Sequence, residues 1–192
     1  MEVLKAITSR RSVRDFTDQR VERATVAALI EAATHAPSAV NQQPWAFAVV
    51  QDKLLLKSYS DRAKLLIAKT LDLSSMPPQL RTMLADPTFN IFYNAGTLIV
   101  ICAKPLGQHP DWDCCFAAQN LMLAAVGMQL GTCPIGFAWP LLEQSDVRAE
   151  LKIAPEFIPV LPVIVGYPTA TPPDVPRNVP EILSWIPASS SL

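Results

Sequence analysis

Thr97-Leu98-Ile99-Val100-Ile101-Cys102-Ala103, and the run from Asp111 to Leu130 that follows it, decide the fold. The first is an unbroken apolar, β-branched string, the pattern of a strand covered on both faces. The second carries Phe116, Leu121, Met122, Leu123, Val126 and Met128 round nearly its whole circumference. It predicts a helix that lies in a core or across a seam between two copies of the chain. Asp111 or Asp113 suits its first turn, and Gly131 ends it.

Working towards the N-terminus, Trp45 to Val50 reads as a strand, and Lys53 to Leu71 as a long helix with Leu55, Leu56, Tyr59, Ala63, Leu66 and Ile67 inward. Asp72 to Pro87 contains Pro77-Pro78 and reads as irregular; a connection of that length is uncommon unless it covers a site or a partner. Two helices come first. One is Glu2 to Ser9, with Val3, Leu4 and Ile7 on one face; the other is Glu22 to His35, with Val26, Leu29, Ile30 and Ala33 as its stripe. Towards the C-terminus, Leu142 to Leu151 reads as a short helix. Val160 to Tyr167 reads as a strand that Pro162 confines to an edge or to its first residues. The order is not β-α-β-α, and no repeat is present. It predicts an α+β sandwich, helices around one mixed sheet.

From Pro168 the composition changes. Pro168, Pro172, Pro173, Pro176, Pro180 and Pro187 force an extended path, while Ile182, Leu183, Trp185 and Ile186 favour a tail laid along another surface. Residues 1–192 therefore read as one domain, with a core over 1–167 and an extension over 168–192.

Bulk properties narrow the function. Half of the 192 residues are hydrophobic and 17% are charged, an apolar balance that points to surface buried against another copy. A net charge of −1 and no long basic run give no case for nucleic acid. No apolar run reaches the roughly 18 residues of a membrane span, and Met1 to Lys5 lacks a signal-peptide core, so a cytoplasmic protein is expected. Cys102, Cys114, Cys115 and Cys133 form no CxxC pair, and His35 and His109 are the only histidines, so no metal site is expected. No Ser-His or Cys-His pairing stands out for nucleophilic catalysis. With six glycines, no Walker loop and no GxGxxG, any phosphate must be held by arginine and backbone N–H groups.

Three stretches carry candidate chemistry. Ser9-Arg10-Arg11-Ser12-Val13-Arg14 sets three guanidiniums and two hydroxyls within six residues. Arg10 and Arg11 suit a helix C-terminus, where cations favour the dipole. Arg14 lies on an extended stretch where alternation puts Ser12 and Arg14 on one side and Val13 on the other. The cluster fits a solvated charged face and fits an anion site, since the guanidinium fork matches phosphate. Pro37 to Pro44 is bracketed by prolines and offers Ser38, Asn41, Gln42 and Gln43, groups suited to a polar heterocycle. Thr132-Cys133-Pro134-Ile135-Gly136-Phe137 reads either as a plain loop or as backbone brought close to something flat.

Together these pieces resemble the nitroreductase family of flavin enzymes. The resemblance rests on Ser9 to Phe16, Ala36-Pro37-Ser38 with Asn41 and Gln43-Pro44-Trp45, Ala117 to Leu121, Leu130 to Phe137, Val165 to Pro168 and Pro176-Arg177, in an order and spacing that span nearly the whole chain. It implies an α/β/α sandwich and an FMN-binding homodimer with two sites at the subunit interface, NADH or NADPH as electron donor, and a small aromatic or conjugated acceptor. It implies that Arg10, Arg11 and Ser12 take the phosphate and ribityl end, with Arg177 as a further phosphate arginine. Arg14 would sit at the pyrimidine edge. Pro37, Ser38, Ala39 and Asn41 would lie against the flavin of the other subunit. Backbone near Pro134, Ile135 and Gly136 would meet flavin N5, leaving Cys133 a neighbour and no side chain as catalyst. The tail would wrap the partner. Many relatives carry an Asn and a Lys before the central strand; here no lysine is present between Thr88 and Phe92, and Asn90 is the stand-in. Family members reduce nitroaromatics, quinones or enones, dehalogenate, or consume the flavin itself, so the resemblance speaks more to cofactor than to reaction. A flavin-holding protein without turnover is the alternative.

Overall fold

The computed structural model describes residues 2–70 and 75–186. Its elements are α1 (Val3–Ser9), α2 (Arg23–Thr34), β1 (Trp45–Val50), α3 (Lys53–Thr70), α4 (Pro78–Ala85), β2 (Thr97–Ala103), α5 (Pro110–Gly127), β3 (Gly131–Pro134), α6 (Trp139–Leu142), α7 (Ser145–Glu150) and β4 (Ile158–Gly166). The strands form one sheet in the order β1-β2-β4-β3 with antiparallel ladders throughout. The mixed character of the sheet is confined, among the described residues, to a parallel bridge between Ser12 and Thr132.

Strand β2 organises both halves of the core. Ile99, Ile101 and Ala103 pack on one face against α2 and α5, through Leu29, Ala33, Ala117, Leu121 and Ala125. Leu98, Val100 and Cys102 pack on the other against Leu56, Tyr59, Leu141 and Val147 of α3, α6 and α7. Period-2 alternation with both faces apolar thus produces the three layers expected.

Three expectations are corrected. β4 is neither at an edge nor begun by Pro162: it lies between β2 and β3, and Pro162 sits in register with Val100. A bulge between Ile101 and Cys102 absorbs the irregularity of this proline-bearing strand. The Pro77-Pro78 pair opens α4 instead of breaking structure; proline is well placed at a first helical position, where its missing N–H is an orphan anyway. Residues 71–74 of that connection lie outside the described residues, as do Pro187 and the rest of 187–192. The expected helix from Leu142 to Leu151 is the shorter α7, Ser145–Glu150, and Leu142 instead ends α6. The Val3, Leu4 and Ile7 face of α1 is exposed in the single chain, and the helix buries only Ala6.

Candidate functional site

The arginine segment leaves α1 in an extended conformation and crosses one end of the sheet. Val13 N–H donates to Thr132 O at 3.0 Å, and Thr17 N–H to Tyr167 O at 2.8 Å. Ser12 bridges to Thr132 and Phe16 to Pro168. Two glycines allow this close docking. A Cβ on Gly131 would stand 2.7 Å from Val13 Cβ, and one on Gly166 2.7 Å from Phe16 Cδ1. Val13 is therefore buried beneath the segment, while Ser12 and Arg14 face outward as alternation predicts.

Beside it lies a cavity of about 400 Å³ lined by Arg14, Tyr93, Cys133, Pro134, Ile135, Gly136 and Phe137. No carboxylate lines it among the described residues. Burial pushes the Cys133 thiol up, and Arg14, Ser12 and Arg10 pull the other way. That balance has two consequences. Cys133 stays a thiol, its Sγ donating to Pro134 O at 3.5 Å, and so lacks the character of a nucleophile. It also means that Arg10, Ser12 and Arg14 converge on one place, which gives the cavity a positive field.

The backbone donors of the next stretch narrow to a turn. Pro134 has no N–H, and Ile135 N–H donates to Pro162 O at 2.9 Å. The sheet thus uses the Ile135 amide. Gly136 and Phe137 open a single 3₁₀ turn (Gly136–Ala138), and their amides have no partner among the described residues. Gly136 is exposed, and a Cβ there would meet nothing within 4 Å. A guanidinium, unpaired amides and a wall of Tyr93, Pro134 and Phe137 suit a flat, acceptor-rich, anionic ligand, and FMN is one.

The other expected residues are placed as follows. Arg10 is half-buried near Cys133. Arg11 is turned away from the cavity. Its Nη1 donates to Thr8 O at 2.6 Å and Arg10 O at 2.9 Å, its Nε to Pro173 O at 3.2 Å and its Nη2 to Asp174 Oδ1 at 2.6 Å. A guanidinium so occupied, with its side chain only 11% exposed, anchors the tail. The helix-end role read for it holds, since Thr8 O is one of the last carbonyls of α1.

Pro37, Ser38, Ala39 and Asn41 do not line their own chain's cavity. Their loop is internally bonded: Gln43 N–H donates to Ser38 Oγ at 3.0 Å, Gln43 Nε2 to Asn41 Oδ1 at 3.0 Å, and Ala39 N–H to Asp113 Oδ2 at 3.2 Å. Val40, Asn41 and Gln43 have φ of 51°, 55° and 49°, and Val40 is 93% exposed. Asn90 is buried and spent on a turn, accepting from Phe92 N–H at 2.9 Å and donating to Asn94 Oδ1 at 3.1 Å. It does not line the cavity of its own chain. Arg177 is exposed on the extended tail and forms no ion pair among the described residues.

Tyr93 escaped the sequence reading, and Phe137 entered it only as the end of the Thr132 to Phe137 stretch, with no role of its own. Each is an aromatic residue in a turn, outside any periodic pattern. Among the described residues no three His, Cys, Asp or Glu side chains are grouped to hold a metal ion, and no helix is long and apolar enough to cross a membrane.

Comparison with known proteins follows the same lines. Residues 7–167 match the model of the nitroreductase family. The chain is 34% identical, over 87% of its length and 86% of the relative's, to a candidate NADH dehydrogenase/NAD(P)H nitroreductase of Archaeoglobus fulgidus. It is 27% identical to an NAD(P)H FMN reductase of Bacillus subtilis, covering 95% of this chain and 72% of that one. Among solved structures, a Bacteroides fragilis nitroreductase with bound FMN superposes with a TM-score of 0.81 at 26% identity, covering 97% and 98% of the two chains.

Proposed function

Because this chain belongs to the nitroreductase family, we propose that it holds FMN in the cavity beside Arg14 and acts as an NAD(P)H-dependent oxidoreductase on a small oxidised acceptor, such as a nitroaromatic or a quinone. The observation that carries the reading is that Arg14 lines one cavity with Gly136 and Phe137, whose amides have no partner among the described residues, and that no described carboxylate lines it. When bound, FMN supplies the two-electron chemistry, taking hydride from the nicotinamide and passing it on in alternating half-reactions.

The protein's part is position and electrostatics. Arg14 puts fixed positive charge at the pyrimidine edge, where it favours negative charge on the ring. Gly136 offers its amide to the reacting edge. Arg10 and Ser12 take the phosphate end together with Arg177, in this reading brought over when the tail settles. No side-chain acid or base is required, because the flavin carries the chemistry.

The partner is a second copy of the chain. Trp112 and Phe116 on α5 and Ile182, Leu183, Trp185 and Ile186 on the tail are large exposed apolar side chains, more than a monomer of this size ordinarily leaves in water. In the assembly the Pro37–Asn41 loop faces the flavin of the other copy, and the tail lies along its surface. A cytoplasmic setting supplies both nicotinamides.

Equilibrium FMN binding tests the site. Arg10→Ala and Arg177→Ala each weaken binding by about 1–3 kcal/mol, the worth of a charge-assisted contact; unchanged affinity in both refutes the phosphate assignment. Truncation after Gly166 impairs dimerisation in sedimentation; a stable truncated dimer removes the tail from the interface.

A further inference from the structure

Arg14 poses a problem of placement. It is an exposed residue on an extended segment, and no carboxylate pairs with it among the described residues. A free arginine side chain samples many rotamers, and holding it in one costs about 2 kcal/mol of entropy. Yet its guanidinium lines the cavity. The contact that accounts for this is aromatic: Arg14 Cζ stands 5.8 Å from the centroid of the Tyr93 ring, within the range of a cation–π attraction.

Tyr93 is itself held in an unfavourable backbone conformation. Tyr93 and Asn94 have φ of 52° and 57°, two consecutive non-glycine residues in the left-handed region. Such strain persists only where surrounding structure over-determines it, and it gathers at functional sites. Here the surrounding structure is explicit. Tyr93 N–H donates to Asn90 O at 2.8 Å and Ala95 N–H to Phe92 O at 3.0 Å. The side chain of Asn90 ties both ends of the turn, as described above. Ile91 N–H donates to the fully buried Ser60 Oγ at 2.9 Å. Ile91 and Phe92 are wholly buried, and Phe89 meets the Tyr93 ring edge-on at 5.5 Å and 77°. The turn therefore has one arrangement, and it presents the ring to the cavity.

We propose that Tyr93 is a positioning residue: its ring, fixed by the Asn90 turn, holds the Arg14 guanidinium in the cavity before any ligand arrives. This rests on the flavin reading only for what Arg14 then does. Burial keeps the phenol protonated against the pull of Arg14, so the ring remains a neutral platform across the working pH range. The phenol also hydrogen-bonds Arg14, so ring face and hydroxyl hold the guanidinium together.

Two readouts on the full-length chain test this, one of them independent of flavin. In the FMN-free protein, the side-chain resonances of Arg14, assigned by their loss in Arg14→Ala, are displaced by the Tyr93 ring current. Tyr93→Phe keeps the displacement and Tyr93→Leu abolishes it. In FMN binding, Tyr93→Leu weakens affinity about tenfold, and Tyr93→Phe, which keeps the ring and loses the hydroxyl, falls between it and the parent. The double variant Arg14→Ala/Tyr93→Leu is no weaker than Arg14→Ala alone, because the two residues act as one unit. Arg14 resonances without ring-current displacement in the parent protein overturn the proposal, and this needs no variant to fold. Losses from Arg14→Ala and Tyr93→Leu that multiply independently also overturn it. A displaced Arg14 in a protein that binds no FMN supports the positioning role and sinks the flavin reading instead.

Discussion

The guanidinium of Arg11 and the carboxylate of Asp174 lie 2.6 Å apart, joining the end of α1 to the start of the tail. With Pro173 O as a further acceptor, Arg11 clasps the tail while its neighbours Arg10 and Ser12 face Cys133. The two adjacent arginines thus do different work. Arg11→Ala loosens the tail, seen as faster hydrogen exchange over 168–186, and leaves FMN affinity within about threefold, as expected for a charge outside the site. Arg10→Ala leaves the tail protected and weakens FMN. An Arg11→Ala loss as large as that of Arg10→Ala contradicts this division.

Gly131 sets the distance between the arginine segment and β3. In Gly131→Ala the new methyl meets Val13 Cβ, Cγ1 and Cγ2 at 2.7–2.8 Å, and the segment must shift. Overpacking of this kind costs about 1–3 kcal/mol, read as a lowered urea midpoint, and FMN affinity falls with it because Ser12 and Arg14 move. Val13→Ala added to Gly131→Ala restores both in part. Full stability in the single variant shows that the docking is looser than the distances indicate.

Much of this was legible in the sequence. β1 and β2 run over the residues that alternation and β-branching name, Trp45–Val50 and Thr97–Ala103. The side-to-side order of Ser12, Val13 and Arg14 is also as read. What was not legible depends on partners distant in sequence. β3 is four residues containing a glycine and a proline and becomes a strand only by pairing with β4. Ile135 N–H is an orphan on paper and a sheet donor in space. Arg11 resembles Arg10 until Asp174 and Pro173 arrive beside it, and the bond from the Asn90 amide to Asn94 is set by a turn that no pattern announces.

Val40 carries a β-branched side chain at φ 51° in nearly full exposure. The left-handed region costs such a residue about 1–2 kcal/mol, and asparagine tolerates it. Val40→Asn accordingly stabilises the isolated chain by roughly 0.5–1 kcal/mol in chemical denaturation. Destabilisation shows that the valine side chain makes a contact worth more than its strain.

Burial pushes the thiols of Cys102 and Cys114 from 9.0 up to about 11 and about 12. A folded-state pKa above the unfolded one contributes stability that is fully present below pH 9.0 and is lost as pH rises towards 11–12, since only the unfolded chain releases these protons. Each thiol adds a fall of up to about 1.4 kcal/mol per pH unit in that window. Urea midpoints between pH 8.5 and 10.5 check this (roughly the range where thiols ionise). The slope is shallower in Cys102→Ala and in Cys114→Ala; equal slopes in parent and variants contradict the thiol assignment.

The central claim is tested most directly by the absorbance of the chain loaded with FMN, titrated without oxygen first with NADH or NADPH and then with a quinone. The account predicts that FMN binds each chain, that its yellow colour is lost on adding at least one nicotinamide, and that the quinone restores it. Failure to bind FMN contradicts the cofactor assignment, and bound FMN that keeps its colour in excess of both nicotinamides contradicts the oxidoreductase.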